Sequence, residues 1–142
     1  MRSRLLLSAV ASAAVVSSVV AAIAATELTI RDGVYSQQQA AQGQTVYIAK
    51  CTLCHGPALQ GGVNESPPLR GQRFLSDWDQ MPLRALYSRI LSTMPKADPG
   101  SLSSEETLEL VAYLLQQNGF PTSNARSFAS ADELNSIRFV PP

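Results

Sequence analysis

The reactive side chains of this chain are gathered in one pentapeptide, Cys51-Thr52-Leu53-Cys54-His55. It contains both cysteines and the single histidine of the 142 residues. Two cysteines are too few for a multi-disulfide scaffold or a four-thiolate zinc site, and one histidine excludes any site that needs two. The chemistry of the chain must therefore depend on this segment and on what packs around it.

The spacing of Cys51, Cys54 and His55 is that of the attachment signal for c-type haem. Each thiol can add to one haem vinyl group, and the adjacent histidine then reaches the iron as the proximal ligand. Three alternatives use the same residues: a thioredoxin-like redox pair, a lone disulfide, and a zinc site completed by a carboxylate. The first needs a strand-rich setting, the second is strained at this spacing, and the third lacks further metal-ligand spacing. We predict one covalently bound haem c.

The other axial iron ligand must come from elsewhere, because the chain has no other histidine. Beyond residue 25 it has two methionines, Met81 and Met94, each followed by proline. Met81 lies at a predicted helix start, where core packing would explain it. Met94 lies in a predicted loop stiffened by Pro95, and an irregular loop can direct a side chain at the iron. We favour Met94, with Met81 as the alternative.

The first 25 residues are typical of a secretory signal. Arg2 and Arg4 precede an uncharged run over 5–25, and Ala22-Ile23-Ala24 has the small-x-small pattern of a cleavage site. The run is also long enough for an uncleaved anchor, although its alanine and serine content disfavours that alternative. We predict export to the periplasm, with membrane attachment only if the segment is retained. Its removal leaves 9 basic and 11 acidic residues, a formal charge of −2.

The remainder is predicted to be one all-α domain over 37–121, with a polar lead over 26–36 and a tail over 122–142 that packs on the domain or extends from it. Predicted elements are a helix over 37–51, a helix with Asp79 as its N-cap and an apolar stripe over 83–91, a helix from Ser103 to Asn118, and a weak helical turn over 131–137. No segment shows convincing strand alternation. Residues 56–71 form a long irregular stretch of the kind that wraps a ligand.

The charges exclude one class of partner. Lys and Arg number 11 against 11 Asp and Glu, with few basic clusters, which argues against a nucleic-acid binder. Basic residues predominate over 66–97 and acidic residues over 98–133. The basic stretch flanks Met94 and could steer an acidic partner, with an ordinary solvated surface as the alternative.

Residues 36–121 resemble class I cytochrome c, in which a Cys-x-x-Cys-His run ends the first helix, a ligand methionine lies in a late loop, and a terminal helix follows. About four helices around one haem are implied. Gly43 and Tyr47 match the crossing of the first helix over the last, with Leu110 and Tyr113 at the partner positions.

The same resemblance implies residues of the haem pocket. Pro67 and Leu69 fall where the family places the proline whose carbonyl accepts the Nδ1 proton of the proximal histidine. Trp78 matches a tryptophan that hydrogen-bonds a haem propionate in some relatives, with a core aromatic as the alternative. The residues around Met94 and Asn118-Gly119-Phe120-Pro121 are similar to a bacterial subgroup often found beside quinoprotein dehydrogenases.

The resemblance therefore implies a periplasmic one-electron carrier with His55 and Met94 on the iron. It would accept electrons from a dehydrogenase, such as a quinoprotein, or from a quinol-linked complex, and pass them to an oxidase or reductase. Both axial positions are then filled, so we expect an electron-transfer protein and no enzyme. The alternatives are a dedicated cytochrome subunit of a dehydrogenase complex and a haem enzyme with peroxidase-like or ligand-sensing activity.

Overall fold

The computed structural model describes residues 27–62 and 65–142, and the predicted signal over 1–25 lies outside these ranges. The described residues include five α-helices, a 3₁₀ turn and one pair of short parallel strands, so the all-α prediction is confirmed with a small strand pair added. The elements are β1 (Leu28–Thr29), α1 (Gln37–Lys50), α2 (Thr52–His55), α3 (Gly71–Trp78), α4 (Leu83–Thr93), α5 (Ser104–Gln117), the 3₁₀ turn Glu133–Ser136 and β2 (Ile137–Arg138). Within these two ranges, no helix is long and apolar enough to span a bilayer.

Capping boxes begin the two longest helices. At α1, the Ser36 hydroxyl accepts from the backbone N–H of Gln39, whose side chain accepts from the N–H of Ser36. Ser103 and Glu106 make the same reciprocal pair at α5, as their spacing predicts. Gly119 follows the end of α5 at a φ of 82°, the left-handed conformation common after a helix.

Helices α1 and α5 cross in close contact. A Cβ atom on Gly43 would overlap the backbone carbonyl of Glu109 and lie 2.9 Å from Cβ of Tyr113, so the approach requires glycine. Beside it the rings of Tyr47 and Tyr113 pack with their centroids 5.3 Å apart. Residues 107–115 of α5 are buried without interruption, which is broader than the single predicted stripe and makes α5 the centre of the core.

The region before α4 differs from its prediction. Residues 71–78 form α3, where the sequence predicts no helix. Phe74 and Trp78 lie four positions apart on this helix. Asp79 ends α3 and does not cap α4, because Gln80 adopts a φ of 60° that cannot continue into a helix. Pro82 is the N-cap of α4 instead. Residues 79–82 are called the α3–α4 link below.

The lead and the tail contribute much of the core. Ile30 and Tyr35 in the lead, and Leu134 and Phe139 in the tail, are completely buried. Strand β1 pairs with β2 across more than a hundred residues of sequence. The lead, which the sequence predicts to be polar, therefore contributes buried side chains to the core. The tail packs on the domain.

Candidate haem site

The Cys-x-x-Cys-His segment occupies the junction of α1 and α2. Cys51 is the C-cap of α1, with its N–H donating to the Tyr47 carbonyl at 2.9 Å, and α2 carries Cys54 and His55. The chain turns sharply at Gly56, whose φ of 77° favours glycine. The Tyr47 hydroxyl donates to the Gly56 carbonyl at 2.6 Å. The segment is thus anchored to α1 on both sides.

His55 is oriented by the hydrogen bond that the resemblance implies. Its Nδ1 lies 2.9 Å from the carbonyl oxygen of Pro67. A ring that donates its Nδ1 proton keeps the lone pair of Nε2 free for a metal. The side chain is buried, at 8% exposure, so this tautomer is held by the protein and not by water.

A cavity of about 290 Å³ lies between the helices and is lined mainly by apolar side chains. All seven residues predicted for the site line it: Cys51, Cys54, His55, Pro67, Leu69, Trp78 and Met94. Other residues of the wall were not predicted as part of the site. They include Tyr47, Phe74, Leu86, Ile90, Leu110 and Leu114.

The two methionines occupy different environments. Met94 ends α4 in an extended conformation and lines the cavity together with His55. Leu86 and Ile90 precede it at four-residue spacing, which places all three on one face of α4 and is the signal by which the wall could have been found. Met81 does not line the cavity and is 40% exposed, so its interpretation as a core residue is wrong.

The two thiols are not bonded to each other. Both cysteines are free and half-buried. Burial raises the pKa of the Cys51 thiol to about 11, so it is neutral near pH 7, whereas disulfide exchange and zinc binding use the thiolate. In the part of the chain that the structure describes, no group of three His, Cys, Asp or Glu side chains is arranged to hold a metal ion.

Charged side chains also line the cavity. Lys50, Arg89 and Lys96 face one carboxylate, Asp77. Lys50 is committed to Glu106 at 3.1 Å. Arg89 and Lys96 are exposed and form no ion pair with any residue of the described ranges.

These residues fit a covalently bound haem c. The apolar walls suit the macrocycle, two thiols stand at the required spacing, and one imidazole nitrogen is free to bind iron. Cationic side chains of the lining match the charge of the two propionates.

Comparison with known proteins identifies the family. The model of the family described as "Cytochrome C oxidase, cbb3-type, subunit III" matches residues 38–114. No curated protein gives a match. Among solved structures, a chain of the sulfane dehydrogenase SoxCD from Paracoccus pantotrophus is similar, with a TM-score of 0.51 and 19% identity over 80% of this chain. The match spans 60% of the SoxCD chain, and at this identity it shows the fold alone. Because the family match covers more than half of the sequence, the chain belongs to this family of c-type cytochrome domains, which carry haem c for electron transfer.

Proposed function

We propose that the protein is a periplasmic one-electron carrier whose haem is attached through Cys51 and Cys54 and ligated by His55 and Met94. The observation that carries this proposal is that all four side chains line one largely apolar cavity. Pro67 holds the imidazole in the tautomer that binds iron. Leu69 and Trp78 complete the pocket, with Trp78 as the donor to a propionate.

This ligand pair suits electron transfer. Compared with a second nitrogen ligand, a thioether ligand favours ferrous iron and raises the reduction potential. His55 and Met94 would both be held by the fold, so little would have to move when the oxidation state of the iron changes. We therefore propose no catalytic role for the domain itself.

The proposed donor is a dehydrogenase, for which a quinoprotein is one candidate, or a quinol-linked complex, and the acceptor is an oxidase or reductase. The similarity to a chain of a dehydrogenase, SoxCD, favours a second candidate function, a dedicated cytochrome subunit of a dehydrogenase complex. Purification of the tagged holoprotein from periplasm distinguishes the two. A stoichiometric dehydrogenase that stays bound supports the subunit, and a monomer that the dehydrogenase reduces in free encounters supports the carrier.

Replacement of Met94 tests the ligation. In Met94→Ala holoprotein we expect loss of the iron–sulfur charge-transfer absorption of the ferric state and binding of carbon monoxide to the ferrous state. Both follow because no other side chain is proposed for that position. Met81→Ala is the matched control and should leave both properties unchanged, since Met81 lies outside the cavity. Unchanged spectra in Met94→Ala would refute the assignment.

A further inference from the structure

We propose that Phe139, in the C-terminal tail, is a positioning residue for the methionine side of the haem cavity. The proposal rests on the proposed ligation by Met94. It goes beyond that ligation because the family match ends at residue 114 and covers no part of the tail. Phe139 does not line the cavity itself, so its effect must pass through the elements that do.

The backbone of Phe139 is tied to the α3–α4 link. Its N–H donates to the Met81 carbonyl and its own carbonyl accepts from the N–H of Gln80, each at 2.9 Å. The Arg138 guanidinium donates to the Gln80 carbonyl at 3.2 Å. On the other side, the Ile30 N–H donates to the Arg138 carbonyl at 3.0 Å. Residues 137–139 of the tail are therefore fixed between the lead and the link.

The ring of Phe139 stands directly behind the cavity wall. It is completely buried and meets the ring of Phe74 edge-on, with centroids 6.0 Å apart and planes at 75°. Phe120 packs on it in a similar way, at 6.0 Å and 69°. Phe74 lines the cavity, so one ring separates Phe139 from the space that the haem fills.

Helix α4 connects the link to the methionine. It begins directly after the link and ends at the C-cap Met94. The tail also contacts the first turn of α4, where Arg84 donates to Asp132 at 3.0 Å on the surface. Loss of the Phe139 ring leaves a void into which Phe74 and the link can move, and a helix transmits such a shift to its far end. Metal ligation requires its ligands within about half an ångström of the productive position.

The tail supplies a matched control in Phe128. This residue is also buried, at 4% exposure, and packs on Tyr35 with centroids 6.3 Å apart. It lines a separate groove beside α1 and α5 and does not line the haem cavity. Phe128→Ala therefore removes a tail aromatic of the same size without altering the wall.

Binding of imidazole to ferric holoprotein measures how often Met94 leaves the iron, because apparent affinity scales with the fraction of open sites. We expect Phe139→Ala to bind imidazole about tenfold more tightly than the unaltered protein. Phe139→Leu keeps most of the volume and should restore the affinity to within about twofold of the unaltered protein, as should Phe128→Ala. If Phe139 contributed only to overall stability, Phe139→Ala and Phe128→Ala would tighten imidazole binding equally.

Equal tightening in Phe139→Ala and Phe128→Ala would overturn the proposal, and so would unaltered affinity in Phe139→Ala holoprotein. If Phe139→Ala does not accumulate with haem, Phe139→Val replaces it. Its expected affinity lies between those of the Ala and Leu variants, and unaltered affinity again overturns the proposal. Absence of the iron–sulfur charge-transfer band from the unaltered ferric protein is a different result, since it removes the Met94 ligation and this proposal together.

Discussion

At the scale of single residues, His55 and Met94 line one cavity but are held there by different constraints. The imidazole is fixed by its hydrogen bond to Pro67, close to it in sequence. The methionine depends on where α4 ends. On the proposed ligation, the methionine is the ligand that a change elsewhere in the fold releases first.

The pentapeptide could be predicted because its signal is local, whereas the Pro67 carbonyl was implied by the resemblance to class I cytochrome c. The spacing of Cys51, Cys54 and His55 alone indicates haem attachment. The exposure of Met81 could not be predicted from local sequence, since both methionines precede proline. The structure separates them through the α3–α4 link, which the tail holds at the surface.

Two acidic residues of α5 predict opposite dependences of stability on pH. The Ser103 N–H and the Lys50 ammonium lower the pKa of Glu106 below its ordinary 4.5. Its stabilising contribution is therefore complete above pH 4.5 and is lost as the pH falls through the lowered value. Burial, with the charges of Glu105 and Glu106, raises the pKa of Glu109. Its contribution is complete below pH 4.5 and is lost as the pH rises through the raised value.

We therefore expect Glu106→Gln to lower the free energy of unfolding near pH 7 by about 0.5 kcal/mol, since glutamine keeps the capping box and loses only the charge. Glu109→Gln should raise it at the same pH. Urea unfolding of the holoprotein between about pH 3 and pH 8 measures both, because unfolding curves report such differences directly. Changes of the same sign near neutral pH would contradict the assignment.

At the scale of elements, the crossing of α1 and α5 is the contact least able to tolerate change. Gly43→Ala should lower the free energy of unfolding by about 1–3 kcal/mol, because its methyl group meets the Glu109 backbone and a helix backbone cannot move aside as a side chain can. Thermal unfolding measures this, with an expected fall in Tm on the order of 10 °C. Gln42→Ala, exposed on the same turn, is the control. A Gly43→Ala protein with the Tm of the control would show that the helices can separate freely.

Elements with complete local signals were predicted and the others were missed. Ser103 and Glu106 form the capping box of α5, and their spacing predicts where the helix begins. Helix α3 is only eight residues long and has no side-chain cap, so Phe74 and Trp78 give too short a pattern to distinguish from a loop. Aspartate is a common N-cap residue, so the sequence predicts that Asp79 begins α4. The left-handed turn at Gln80, which prevents this, cannot be inferred from a glutamine side chain.

At the scale of the whole molecule, the wrap formed by the lead and the tail could not be predicted. Ile30 and Phe139 lie in the short alternations Leu28-Thr29-Ile30 and Ile137-Arg138-Phe139, which are too short to predict strands. Their partners lie far away in sequence, so the pairing of β1 with β2 leaves no local pattern. The sequence therefore does not distinguish a tail that packs on the domain from one that extends from it.

The charge around the cavity opposes the charge of the whole chain. Without residues 1–25 the chain carries a formal −2, yet Arg89 and Lys96 stand unpaired among the described residues that line the haem cavity. In the holoprotein these two cations offset the charge of the two propionates. Replacing both should therefore slow reduction by a small anionic reductant about threefold at low ionic strength, and the difference should shrink as screening shortens from about 30 Å to below 10 Å.

Stopped-flow measurements compare the double variant Arg89→Gln/Lys96→Gln with the unaltered protein. Arg31→Gln/Arg126→Gln, which removes two exposed cations that do not line the cavity, is the control and should slow reduction less. Equal slowing in both double variants would show that the overall charge, and not the cations of the cavity, sets the rate.

The crossing at Gly43 also bears on the order in which the chain assembles. Its two helices are separated by the whole stretch 51–103, so the contact closes a long loop, and the entropic cost of closing it must be met before the packing of α5 stabilises anything. Without the prosthetic group, the side chains by which α3, α4 and α5 line the cavity have no apolar surface to pack against. Under the proposed attachment, haem joined to residues 51–55 supplies that apolar surface at the end of the first helix, and the late helices then condense on a nucleus already tethered to the chain. The cofactor would thus serve as a folding partner before it serves as a carrier of electrons.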